Sequence, residues 1–308
     1  MNDYEKTMVE WVVSGDIRKA QAAAKVFLEK SVRTAKDEVF KERMMRTLDA
    51  KPATIELPYN LRGMLRAEDS ELFPIQKYCV NKDLDEVADH VLDIFRVSQK
   101  LMEKGIRYLP TLLLHGESGC GKTDFARYIA YKAKMPFVLV RFSGLVDGIL
   151  GNTQKNLQRV FEYVDTAPCV LCIDELDAIG MRRGTVGDVA ELSRVTIALM
   201  QELDTVSTNR ILIGTTNRFE DLDQALVRRF TLDQELKKLD KKGAFEAAKQ
   251  FLDYCDMHMG DDEVDAWLSK SFSTYATTNS EEHILPIAAV VNACTEHVVR
   301  SMVSAAEE

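Results

Sequence analysis

The chain has 308 residues, 46% of them apolar and 29% charged, with a formal net charge of −9. That length holds a sizeable core and two or three units, the composition is that of a soluble globular protein, and the acidic balance disfavours a nucleic-acid binder built on one electrostatic face. No apolar run reaches the roughly 18 residues of a membrane span, and residues 1–6 lack a secretory pattern, so the cytoplasm is the expected compartment.

Residues 1–50 read as helical. A short helix from Tyr4 to Val13 ends at Ser14-Gly15, and Asp16 caps the next. In that helix Ile17, Ala20, Ala24, Phe27, Leu28, Val32, Ala35 and Val39 recur near the 3.6 period. Mixed charges predict a solvated polar face, and the sharper alternative is a hairpin that docks a partner or substrate. Pro52, Pro58, Gly63 and Pro74 break any periodicity over residues 51–78, which read as a linker. Asp83 to Lys104 carries an apolar stripe (Leu84, Val87, Val91, Ile94) and stops at Gly105, where a helix-ending glycine belongs.

From Leu109 the pattern alternates between strand and helix. Candidate strands are 111–115, 136–141, 168–173, 210–215 and 231–235. Buried strands alternating with helices predict an α/β fold, a parallel sheet covered on both faces, with ligands at the carboxyl ends of its strands. After residue 237 the strands stop, and helices are expected over 243–257, 261–270 and 285–303. The expected organisation is a helical region 1–50, a linker 51–78, an α/β domain 79–236 and a helical unit 237–308.

The strand 111–115 runs into His115-Gly-Glu-Ser-Gly-Cys-Gly-Lys-Thr123. Gly116, Gly121, Lys122 and Thr123 fit G-x-x-x-x-G-K-[ST], the phosphate-binding loop. Glycines let successive N–H groups turn inward toward phosphate oxygens, and the following helix adds its positive end. The expected nucleotide-binding residues are Gly116, Glu117, Ser118, Gly119, Cys120, Gly121, Lys122, Thr123 and Asp124. Lys122 can reach the β- and γ-phosphates, and the Thr123 hydroxyl can hold Mg²⁺.

Strand 168–173 ends in two carboxylates, Asp174 and Glu175. A buried strand cannot carry them in its middle without a large desolvation cost, whereas at its end they can face a metal and a water. Asp174 is the second expected Mg²⁺ residue, and Glu175 is the expected base or water-orienting group. Strand 210–215 leads into Asn217, whose amide can bond a γ-phosphate or the lytic water, though asparagine also favours turns. Arg228 and Arg229 precede the last strand. An arginine from outside a pocket can stabilise charge spread over a transferring phosphoryl group.

The cysteines are scattered, as reduced thiols are. Cys169-x-x-Cys172 has the spacing of half a zinc site but lies in a strand with no second pair. Cys120, inside the phosphate loop, is either a tolerated small residue or a thiol open to alkylation.

The order and spacing of these four motifs resemble those of the AAA+ ATPases, within the AAA family proper, over about residues 80–240 and more loosely to 308. The Arg-Arg-Phe form is similar to that of the severing-type members spastin and katanin. The resemblance implies a large α/β ATPase domain with a helical lid, ATP and Mg²⁺ as ligands, and Asn217 as the sensor of the γ-phosphate. It implies Arg228 and Arg229 acting on the next subunit's nucleotide in a ring, usually a homohexamer. It implies hydrolysis coupled to remodelling of a protein or protein complex. A loader or remodeller of nucleic-acid machinery is the alternative, which the net charge disfavours, and a slow nucleotide-gated switch is a third. Three features depart from the family pattern. Ile149-Leu150-Gly151 stands where members that thread protein chains carry an aromatic. The lid lacks the Gly-Ala-Asp/Glu motif, leaving His283 and Arg300 as nearby polar candidates for its sensor. The region 1–50 matches no adaptor module. Arg182 and Arg183 can line a pore.

Overall fold

The computed structural model describes residues 57–145, 152–178, 189–205, 207–277, 282 and 284–307, together with residues 6, 24, 26–28 and 41. Two units divide the chain, Met1–Ala53 and Thr54–Glu308. In the first, the described residues Lys6, Ala24, Val26, Phe27, Leu28 and Lys41 are helical, and the remainder of the two expected helices lies outside the described residues.

The second unit is built on one sheet. Its strands are β1 (Leu65–Glu68), β2 (Thr111–His115), β3 (Phe137–Val140), β4 (Val170–Ile173), β5 (Ile211–Thr216) and β6 (Leu232–Glu235), in the order β1-β3-β4-β5-β2-β6. All neighbours are parallel except β1, which runs antiparallel to β3. Alternation along each strand sends side chains to opposite faces. Leu112, Leu114, Val170, Cys172, Ile211 and Ile213 pack with helices α1 (Lys82–Glu103) and α2 (Lys122–Ala133). Leu113, Leu171, Ile173 and Leu212 pack on the other face with α3 (Asn152–Val164) and α4 (Val189–Thr205). Each such leucine, wholly buried, contributes about 1.5–3 kcal/mol. The same alternation separates Cys169 from Cys172, since one belongs to each face. Burial pushes the Cys169 thiol up to about 11 and Cys172 well above its ordinary value.

Local chemistry sets the helix ends. Asn81 Oδ1 accepts from the Leu84 N–H at 2.8 Å, Asp83 and Asp85 occupy the first turn of α1, and Gly105 follows its end at φ +74°. After a short α5 (Gln224–Val227) and β6, the chain turns helical: α6 (Lys241–Tyr254), α7 (Asp261–Ser271), α8 (Ser273–Thr277) and α9 (Ile287–Glu307). These enclose a core of their own around Ala244, Ala248, Leu252, Leu268, Tyr275, Val290 and Cys294.

Three expectations change. Strand β1 lies within the stretch expected to be a linker; four residues of mixed polarity between Gly63 and Asp69 carry too short a pattern to register. Helix α8 lies between the expected helices 261–270 and 285–303, where no helix was expected. Helix α6 starts at Lys241, because Asp240 Oδ1 caps it at the Gly243 N–H, 2.6 Å away.

Candidate active site

Strand β2 delivers the chain to the glycine-rich loop, and three glycines there hold positive φ: Gly116 at +132°, Gly119 at +80° and Gly121 at +84°. At Gly116 a side chain is also sterically barred, since a Cβ would stand 2.2 Å from the Leu236 carbonyl oxygen. Gly121 then starts α2, whose first residue is Lys122. The Lys122 side chain turns back over the loop and donates to Gly116 O (2.8 Å), Glu117 O (2.8 Å) and Asn217 Oδ1 (2.7 Å). Burial lowers its ammonium below the ordinary lysine value, against the upward pull of Cys120, Asp174 and Asp177. All three oxygens it bonds are of the kind that phosphate can replace.

Thr123 Oγ1 donates to Asp174 Oδ2 at 2.9 Å. The other Asp174 oxygen accepts from the Thr215 hydroxyl and from the Glu175 N–H at 3.1 Å. Loop, β4 and β5 are thereby joined at the carboxyl end of the sheet. Thr123 and Asp174 supply hard oxygen donors, the chemistry that Mg²⁺ takes together with phosphate oxygens. Glu175 has φ +54°, a left-handed conformation that costs a non-glycine residue about 1–3 kcal/mol. Its carboxylate is exposed and takes no partner among the described residues.

Other expected residues fall elsewhere. Glu117 and Ser118 are exposed, and Glu117 pairs with Lys238 at 2.6 Å. The Asp124 side chain pairs with Arg127 at 2.8 Å on α2 rather than turning to Lys122. Cys120 is buried, and burial raises its thiol above the ordinary value. Arg228 is exposed, without a side-chain partner among the described residues. Arg229 is tied inside its own chain, to Ala225 O at 2.6 Å and Asp204 Oδ2 at 3.3 Å, and its buried Nε has no acceptor among the described residues. Both lie at the far end of β2: the Arg229 carbonyl accepts from Thr111 Oγ1 at 3.3 Å, at the strand's first residue, whereas the loop leaves its last. Four residue steps at about 3.3 Å each put roughly 13 Å of strand between them.

Sequence reasoning left the lid's sensor position open. In the helical unit, the start of α9 lies against the loop. The Ala288 N–H donates to Gly119 O at 3.1 Å. A Cβ at Gly119 would stand 3.3 Å from Pro286 Cβ and from Ala288 Cβ, and one at Gly121 would stand 3.1 Å from Ile287 Cγ2. Arg300 lies about 20 Å further along the same helix at 1.5 Å per residue and pairs with Glu296. The one clue in the sequence was Pro286, a helix-starting residue just before the apolar Ile287. His283, Ile149, Leu150, Gly151, Arg182 and Arg183 lie outside the described residues.

Residues 112–238 match the model of the AAA family, the ATPase family associated with various cellular activities. The chain is 35% identical over 136 residues to the uncharacterized AAA family ATPase y4kL of Sinorhizobium fredii, covering 44% of this chain and 41% of that one. It is 34% identical over 163 residues to the peroxisomal ATPase PEX6 of Pichia angusta, 50% of this chain and 14% of the relative. It is 32% identical over 182 residues to the ATP-dependent zinc metalloprotease FtsH 3 of Phytoplasma mali, 58% of this chain and 30% of the relative. The chain thus spans less than half the length of each of these relatives. No helix among the described residues is long and apolar enough to cross a membrane.

Proposed function

We propose that this chain, an AAA+ ATPase in its core domain, binds Mg-ATP on the His115–Thr123 loop and hydrolyses it in an oligomeric ring, using the cycle to remodel a protein or protein complex. One observation carries the reading: Lys122, Thr123, Asp174, Glu175 and Asn217 converge at the carboxyl ends of β2, β4 and β5, with hydrogen bonds linking Lys122 to Asn217 and Thr123 to Asp174.

Each group has a task. Lys122 exchanges its carbonyl and amide partners for β- and γ-phosphate oxygens. Thr123 and Asp174 hold Mg²⁺, which when bound neutralises charge developing on the phosphates. Glu175, exposed and with no side-chain partner among the described residues, orients the attacking water and accepts its proton. Asn217, released from Lys122, bonds the γ-phosphate or that water. Arg228, exposed and roughly 13 Å of strand from its own loop, acts on the nucleotide of a neighbouring subunit, with Arg229 tied down beside it, and this is the support for a ring. The contact between the start of α9 and the loop glycines gives nucleotide a route to the lid. The name of FtsH 3, an ATP-dependent metalloprotease, supports a protein substrate over nucleic acid.

The test is ATP turnover per subunit against protein concentration, with Lys122→Ala as the blank and molecular mass measured at each point. Turnover above the blank that rises with oligomer formation is expected. Turnover no higher than the blank at every concentration rejects hydrolysis, and full turnover by a monomer rejects the ring.

A further inference from the structure

Two adjacent threonines end β5, and each is bonded to a different aspartate of the segment that follows β4. The Thr215 hydroxyl donates to Asp174 and accepts from the Glu175 N–H at 3.2 Å. The Thr216 hydroxyl, wholly buried, donates to Asp177 Oδ1 at 2.8 Å and accepts from the Arg218 N–H at 3.0 Å. The same Asp177 oxygen accepts from the Asn217 N–H at 3.3 Å. One carboxylate oxygen therefore holds the Thr216 side chain and the Asn217 main chain together at the point where β5 releases Asn217.

The approach of the two segments is built into the sheet. Asp177 lies in the single helical turn Leu176–Ala178. Leu176 is wholly buried, and its Cδ1 occupies the space above Gly214, where a Cβ would stand only 2.3 Å away. Gly214 and Thr216 share one face of β5. The glycine admits the leucine, and the leucine sets its neighbour Asp177 against Thr216.

We propose that Asp177 is a positioning residue for the hydrolytic reaction: it fixes the main chain of Asn217 so that the side-chain amide is presented beside Lys122. This rests on the ATPase reading of the site. Asp177 makes no hydrogen bond to Lys122 and stands one turn beyond Asp174 and Glu175. Its two bonds to Thr216 and Asn217 are the route by which it acts on the nucleotide. A group aimed at a phosphate oxygen must hold its place to a fraction of an ångström, and a misplacement of about 1 Å costs roughly 10²-fold in rate. Asn217 is exposed and follows the last residue of a strand, and among the described residues no other hydrogen bond holds its main chain.

Asp177→Ala, Asp177→Asn and Thr216→Val test the assignment, each with and without Asn217→Ala. Asparagine keeps an acceptor oxygen and loses only the charge. Asp177→Ala is expected to lower kcat by about 10²-fold with the KM for ATP and nucleotide affinity unchanged. Asp177→Asn restores most of the turnover, and Thr216→Val falls between. In the Asn217→Ala background Asp177→Ala costs nothing further, because two residues acting through one interaction are not additive. Hydrogen exchange at the Asn217 amide gives a readout independent of turnover: faster in Asp177→Ala, restored in Asp177→Asn. An equal loss with and without Asn217 overturns the proposal, as does wild-type turnover in Asp177→Ala or unchanged exchange. Failure of the ATPase reading is a different result, wild-type turnover no higher than Lys122→Ala, and exchange then decides alone whether Asp177 holds Asn217.

Discussion

Arg228 and Arg229 are neighbours in sequence and opposites in structure, and replacing each by alanine should separate two roles. Arg229→Ala deletes bonds from a charged group to Ala225 O and to Asp204. Such bonds contribute about 1.5–3 kcal/mol each when buried. Asp204 is half exposed, which cuts its share, and the change also removes the buried Nε that has no acceptor among the described residues. A net loss of about 1–2 kcal/mol follows, or roughly 2–8 °C in Tm for a unit of this size. Arg228, exposed and without a side-chain partner among the described residues, should leave Tm where it is. Its removal should lower turnover by about 10³-fold or more at unchanged ATP affinity, since a finger acts in the transition state. The decisive assay mixes subunits. Glu175→Gln spoils its own site but still offers Arg228 to a neighbour, whereas Arg228→Ala keeps an intact site and offers none. An equimolar mixture should hydrolyse ATP far faster than either variant alone. If the mixture stays as slow as its parts while mass measurement shows mixed oligomers, the arginine does not work across subunits.

Three more outcomes are expected. Gly116→Ala should abolish nucleotide binding and lower Tm, because its Cβ would stand 2.2 Å from the Leu236 carbonyl oxygen at a φ of +132°; wild-type affinity for a fluorescent ATP analogue would contradict this. Glu175→Gln should bind ATP and hydrolyse it very slowly, whereas Glu175→Gly should lose turnover yet gain about 1 kcal/mol in urea denaturation by relieving the left-handed backbone; a fall in stability would mean that the backbone carries no strain. Tyr128 donates to Asp85 Oδ1 at 2.6 Å, and burial, then that hydrogen bond, pushes its hydroxyl up to about 12 from an ordinary 10.0. A folded value above the unfolded one makes its stabilisation complete below pH 10 and lost as pH climbs from 10 to 12. Tyr128→Phe should therefore cost about 1 kcal/mol at pH 8 and flatten the alkaline loss; identical slopes in the two proteins would exclude Tyr128 as its source.

What could be read from sequence divides along physical lines. Lys122 and Thr123 were legible from the glycine spacing of their loop, Asp174 and Asn217 because polar groups at the ends of apolar strands are costly unless they meet a ligand or one another, and the structure brings these four together. The strands β2 to β5 were legible within a residue or two, because burial on both faces writes a continuous apolar run; β6, Leu232–Glu235, is a partly exposed edge strand without one. Three things were not. Strand β1 is too short, and its pairing partner is too distant in sequence. Which arginine of the pair is tied down depends on Asp204, 25 residues away, and no local pattern encodes that. The start of α9 against the loop glycines is a contact of Pro286, Ile287 and Ala288, apolar residues that carry no chemical signature, with a segment some 170 residues earlier.

The position of β2 in the sheet also sets a timetable. It lies between β5 and β6, pairing Leu112 with Ile213 and with Leu232. A ribosome that has just released His115 must still make about 120 residues before β6 is complete, roughly 6–24 s at 5–20 residues per second. Until β5 is complete, about 100 of those residues, the strand that carries the phosphate loop has neither neighbour, and until β6 is made it has only one, so its leucines stand open to chaperones or to other nascent chains. Fragments ending before β6 should bind no nucleotide and aggregate, and the site becomes one of the last parts of the sheet to exist.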